Sequence, residues 1–151
     1  MVDVANKREK TKNRKTSGSF LRLRHDILES DAYKKLSSST VKLIIDLAAQ
    51  YRGKNNGDLC TAWVFMKERG WRSKSTLYKA MKEAEDAGFI LRTRQGGINK
   101  CNLFAVTWES IDECGGKLDV KSTRVASNTW KLNPPVQKPY HPSTEIVPIE
   151  K

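Results

Sequence analysis

Acidic residues are scarce beside basic ones. Seventeen Asp and Glu stand against 28 Lys and Arg in 151 residues, a formal net charge of +11. A positive excess attracts polyanions, because counterion release from nucleic acid gives affinity without any base reading. A ribosome-associated protein, a membrane-surface binder or a merely soluble surface shares that charge. A membrane-surface binder wants a basic amphipathic helix with large apolar groups opposite, and the chain has none of that kind. Cysteine is also sparse. Cys60, Cys101 and Cys114 are odd in number, widely spaced and form no CxxC pair, and His25 and His141 are far from them in sequence. We therefore expect reduced thiols, no disulfide framework and no metal site. No apolar run is long enough for a bilayer. The N-terminus has no apolar signal-peptide core, so secretion is not expected and a cytoplasmic location is. There is no Gly-rich phosphate loop and no nucleophile with a placed base. Asp58, Glu68 and Glu83 have no spacing that pairs them for acid–base work, so neither an enzyme nor a cofactor is expected.

What is present suits one core with polar ends. Residues 1–18 carry Lys7, Arg8, Lys10, Lys12, Arg14 and Lys15 among Asn, Thr and Ser, with no apolar period. They read as a disordered basic arm, either lying on phosphates or in a minor groove, or simply solubilising. A domain is expected over 19–113. It opens with Phe20, Leu21 and Leu23, a short turn or helix from His25, and a short helix after Ser30. The surest helix runs from Val41 to about Tyr51, capped from the run Ser37–Thr40. Val41, Ile44, Ile45, Ala48 and Tyr51, widened by Leu47, form its expected core side, with Lys42, Asp46 and Gln50 on the wet side. Asn55-Asn56-Gly57 signals a turn and Asp58–Cys60 a short strand. Past Glu113 an extended or disordered tail is expected over 114–151, with Pro134, Pro135, Pro139, Pro142 and Pro148. In it, Trp130 and Leu132 either pack back on the domain or form a motif for another protein.

The organising stretch is 61–95. Thr61 is placed to cap a helix over Ala62–Arg69. Gly70-Trp71-Arg72 makes a three-residue turn, and a second helix runs 73–87 with Ser73 as N-cap and Gly88 as stop. Leu77, Ala80, Met81 and Ala84 share one face, while Ser75, Lys79, Lys82 and Asp86 lie opposite. Small and basic side chains on the outer face suit a major groove. A solvated surface helix or an αα-hairpin without a DNA role has the same pattern. After Gly88 the period becomes 2. Strand 89–95, a two-residue Gly96-Gly97 turn with positive φ and a return strand 98–108 form a hairpin. Arg92, Arg94 and Lys100, with Gln95 and Asn99, crowd its tip, where gatekeeper charges against edge pairing are the alternative.

The order of elements, and the strings Gly70–Met81 and Glu85-Asp86-Ala87-Gly88-Phe89-Ile90, resemble winged helix-turn-helix proteins. Leu23–Leu28, Tyr33–Leu36 and Tyr51–Gly57 are similar to small members carried by bacterial prophages and mobile elements. The resemblance spans about Phe20 to Trp108. It implies a mostly α fold with a small β-hairpin (α+β). It also implies a recognition helix in the major groove of double-stranded DNA and a wing on the backbone or minor groove. The expected DNA contacts are Arg72, Ser73, Lys74, Ser75, Thr76, Tyr78, Lys79 and Lys82 from the helix-turn-helix. Arg92, Arg94, Gln95, Asn99 and Lys100 are those from the wing. The helix lacks Arg, Asn and Gln, the bidentate base readers, so phosphate-driven binding is expected. A transcriptional regulator is the leading role. A replication-origin or accessory factor of a mobile element and a protein-interaction adaptor are the alternatives. The partners to consider are duplex DNA, a second copy of the chain, and a protein docked through the tail.

Overall fold

The computed structural model describes residues 18–132. The basic arm, Gly18 apart, and the Pro-containing stretch from 133 onward lie outside the described residues. The described chain is α+β, with five α-helices and a small antiparallel sheet. In order these are α1 (His25–Leu28), α2 (Asp31–Lys34), α3 (Ser38–Ala48), β1 (Leu59–Cys60), α4 (Trp63–Glu68), α5 (Lys74–Asp86), β2 (Ile90–Arg94) and β3 (Leu103–Val106). Ile27, Leu43, Ile44, Leu47, Leu59, Met66, Phe89, Phe104 and Val106 are buried in one core cluster.

Helix α3 begins three residues earlier than its pattern indicates. The Ser37 hydroxyl accepts from Thr40 N, so the first residue of the Ser/Thr run is the cap. The core side shifts with it, to Leu43, Ile44, Leu47 and Ala48, leaving Val41, Ile45 and Tyr51 only half-buried. Two residues expected on the wet side are drawn inward. Asp46 is buried. The Gln50 amide donates to Cys60 O at 2.9 Å and accepts from Cys60 N at 2.8 Å, adding a side-chain rung to β1. The expected cap of α4 is also corrected: Thr61 is buried, and the N-cap is Ala62, with no side-chain hydrogen bond.

The strand order is β1-β3-β2, with Leu59 opposite Phe104 and Ile90 opposite Val106. The register slips between Arg92 and Arg94, so Thr93 is the extra residue of a bulge. Its hydroxyl donates to Gly57 O at 2.5 Å and its carbonyl accepts from Asp119 N at 2.8 Å. The hairpin turn is not Gly96-Gly97. Gly97 and Lys100 exchange backbone bonds of 3.0 and 3.1 Å, leaving Ile98-Asn99 as the loop. The left-handed residue is Asn99, at φ 57°. Gly96 serves space instead, since a Cβ there would lie 2.8 Å from Lys100 O and Asn102 N.

The packed domain does not end at Glu113. Residues 114–132 run back across it, with Asn128 N donating to Thr107 O at 2.8 Å and Thr123 N to Ile111 O at 2.9 Å. Trp130 is buried and lies parallel to Phe89, their centroids 6.1 Å apart. For Trp130, packing on the domain is therefore what occurs, while Leu132 is exposed. This return segment closes over the end of α5. Gly88 has φ +80°, and a Cβ there would sit 2.7 Å from the Thr129 carbonyl carbon. A Gly88→Ala chain should lose about 2 kcal/mol of stability in a urea titration, through left-handed strain and backbone collision.

Candidate nucleic-acid interface

The second helix of the α4–α5 pair forms as its local signals dictate. Ser73 Oγ accepts from Thr76 N at 3.3 Å, and α5 follows from Lys74 to Asp86. Leu77, Ala80, Met81 and Ala84 are its buried residues. Lys74, Ser75, Thr76, Tyr78, Lys79, Lys82 and Asp86 are exposed, as is Arg72 before the cap, and Ser73 is half-buried. At 3.6 residues per turn, Lys74, Ser75, Tyr78, Lys79 and Lys82 fall within about 140° of the helix circumference. The helix thus gathers three lysines, a serine and a tyrosine on one outward face.

Two carboxylates of α5 are used internally. Glu83 accepts from Ser37 N at 2.9 Å, Ser37 Oγ at 2.7 Å and Thr40 Oγ1 at 2.6 Å, placing a negative group at the N-terminus of α3. Glu85 accepts from Arg92 Nε at 3.0 Å and Nη2 at 3.3 Å. The face with the lysines therefore keeps a positive excess, with Asp86 as an exposed carboxylate at its C-terminal end.

The turn between α4 and α5 is locked to α3. Trp71 is buried, and its ring N–H donates to Asp46 Oδ2 at 2.8 Å. Asp46 also accepts from Lys42 at 2.8 Å and faces Arg69 Nε at 3.1 Å, and Lys42 reaches the Arg69 carbonyl at 2.9 Å. Burial opposes the charged form of Asp46. The hydrogen bonds from Lys42, Trp71 and Arg69 outweigh it and hold the carboxyl below its ordinary value. A carboxyl lowered on folding stabilises the protein above its unfolded pKa, and that stability is lost as pH falls through the folded one. Urea stability should therefore decline below the usual carboxylate range. Asp46→Asn should show a flatter acid limb and, at neutral pH, a loss of about 1–2 kcal/mol. An acid limb identical to that of the unaltered chain would show that Asp46 does not carry the effect.

The hairpin is placed differently from its sequence pattern. Arg92 is engaged by Glu85 and donates from Nη1 to Gln95 Oε1 at 3.0 Å, with its guanidinium 5.5 Å from the Phe104 ring centroid. Arg94 Nη2 donates to Cys101 O at 3.1 Å, and Arg94 Nε is buried without a partner. Both arginines are half-buried braces of the hairpin rather than tip groups. Gln95 is exposed, its N–H held by Asp119 Oδ2 at 2.9 Å. Asn99 and Lys100 are exposed at the turn beside Ile98, which is 93% exposed. The candidate contacts thus fall into two sets. The helix face is open and cationic, while the hairpin offers Lys100, Asn99 and Gln95 at its end and two tethered arginines at its root.

Asp46, Glu83 and Glu85 position this surface and have no local signal in the sequence. Their partners are 25, 46 and 7 residues away in the chain. A further unanticipated feature is an apolar outer side on α4, where Val64 and Phe65 are 69% and 58% exposed. Among the described residues, no group of three or more His, Cys, Asp or Glu could hold a metal ion. No helix among them is long and apolar enough to cross a membrane. Comparison with known families, curated proteins and solved structures returns no match.

Proposed function

We propose that this is a non-enzymatic, winged helix-turn-helix protein that binds double-stranded DNA. Helix α5 lies in the major groove, and the β2–β3 hairpin is a wing on the backbone or minor groove. The observation that carries the proposal is the outer face of α5. Lys74, Lys79 and Lys82 stand exposed on it while Glu83 and Glu85 are turned to internal partners. The pairing of β1 with β3, beside a helix-turn-helix followed by a hairpin, supports the fold assignment. With Ser75, Thr76 and Tyr78 as the polar groups between the lysines, phosphate neutralisation dominates and base discrimination is modest. The role that fits best is transcriptional regulation. An origin-binding or accessory function on a mobile element uses the same surface.

The test is fluorescence anisotropy with a mixed-sequence duplex, the matching single strand and polyglutamate across a salt series. The duplex should bind tightest, and log affinity should fall linearly with log salt, at a slope near one per phosphate contact. Equal binding to polyglutamate and no duplex preference would reject a groove-directed surface. The exposed Val64 and Phe65 favour a second reading, a protein contact through α4. A pull-down that survives nuclease treatment and is lost in Phe65→Ser would support it.

A further inference from the structure

Two of the three cysteines are brought together by the sheet. Cys60 ends β1 and Cys101 precedes β3 on the return arm of the hairpin, and their sulfurs are 3.1 Å apart. A disulfide requires about 2.05 Å, so the sulfurs need to close by only about 1 Å. Both residues are half-buried, so part of each stays within reach of a small oxidant. Their backbones are pinned on both sides. Gln50 holds the N–H and carbonyl of Cys60, and Arg94 Nη2 holds the carbonyl of Cys101 and lies 3.8 Å from its sulfur. Cys114 stands apart, its sulfur 3.8 Å from Asn56 O.

We propose that Cys60 and Cys101 form a reversible disulfide, made by a hydroperoxide, that fastens the return arm of the hairpin to β1. The Cys101 sulfur, beside the Arg94 guanidinium, takes the terminal oxygen of the hydroperoxide. The O–O bond breaks, an alcohol (or water, from hydrogen peroxide) leaves, and Cys101 becomes a sulfenic acid. The Cys60 sulfur then displaces that oxygen. Its S–H bond breaks, the S–S bond forms, and the proton departs with hydroxide as water. Two thiols are oxidised by two electrons and one peroxide is reduced. Burial, and then the hydrogen bond with Cys101, push the Cys60 thiol up to about 11. At neutral pH it is the resolving partner rather than the first sulfur attacked. A dithiol reductant reverses the bond by exchange.

The closed loop contains α4, and with it α5 and β2, two of the elements proposed above to meet DNA. The cross-link itself does not depend on that proposal. The full chain, reduced and then treated with hydrogen peroxide at neutral pH, should lose two hydrogens by intact mass and form no covalent dimer. Proteolysis should give one dithiothreitol-sensitive peptide pair joining Cys60 to Cys101. Thermal unfolding should move up on the order of 10 °C, as expected for closing a loop of this length. In Cys60→Ser, a dimedone adduct should appear at Cys101. Oxygen addition without a cross-link, a bond involving Cys114, only intermolecular disulfides, or no dimedone adduct at Cys101 in Cys60→Ser would each overturn the proposal. DNA affinity is not among these readouts, so failure of the DNA-binding proposal leaves this result readable.

Discussion

Replacing Lys74, Lys79 and Lys82 together with alanine should lower duplex affinity on the order of 100-fold at about 0.15 M salt and flatten the salt slope by about three. The size follows from counterion release, since each phosphate contact that is lost forfeits about 0.9 of a unit of slope. All three side chains are exposed, and the substitutions remove one ring contact, that of Lys74 Nζ 5.9 Å from the Trp63 centroid. Alanine also has the best helix propensity, so α5 should survive, as far-ultraviolet circular dichroism would show. The loss should be nearly equal across sequences, because phosphate contacts position a protein without specifying bases. Lys→Arg at the same three positions keeps the charge and should keep most of the affinity. If the alanine variant retains both its affinity and its slope, α5 does not face the duplex.

Trp130→Ala should cost about 3–5 kcal/mol in urea or thermal unfolding. The indole is buried against the core and stacked with Phe89, and its ring N–H donates to Asn128 Oδ1 at 3.3 Å. Deleting it opens a cavity beside Phe89, itself fully buried. The same loss would release the Asn128–Thr107 and Thr129–Gly88 hydrogen bonds, which hold the return segment over the end of α5. Trp130→Phe fills most of the space and should recover more than half of the loss. A change of under about 1 kcal/mol in Trp130→Ala would mean that 114–132 contributes little to the fold, because surface substitutions fall in that range.

Helix α5 was legible because every local cue agrees. Ser73 caps it, its apolar residues recur at the helical period, and Gly88 ends it with positive φ. Helix α3 was readable as a helix but not in its frame. Ser37, Ser38, Ser39 and Thr40 are all acceptable caps, and the choice is settled by Glu83, which binds the Ser37 N–H and hydroxyl from 46 residues away. Asp46 looked like a wet-side residue because its partners, Trp71 and Arg69, belong to a later turn. The hairpin misled for a related reason. Gly96-Gly97 carries the usual turn signal, but Gly96 is required for the approach of Asn102, and the left-handed position passes to Asn99. Arg92 and Arg94 read as free tip charges because nothing near them in sequence reveals Glu85 or the Cys101 carbonyl as their partners. Trp130 lay in a polar stretch with no period, and only the fold shows the place it fills beside Phe89.

The most direct measurement is backbone amide chemical-shift mapping of the isotope-labelled full chain, titrated with a duplex. The proposed placement predicts the largest shifts over 72–82 and over 97–100, with small shifts on α1 and α2. Shifts centred on Val64 and Phe65, or spread evenly over the lysines of the whole surface, would contradict it.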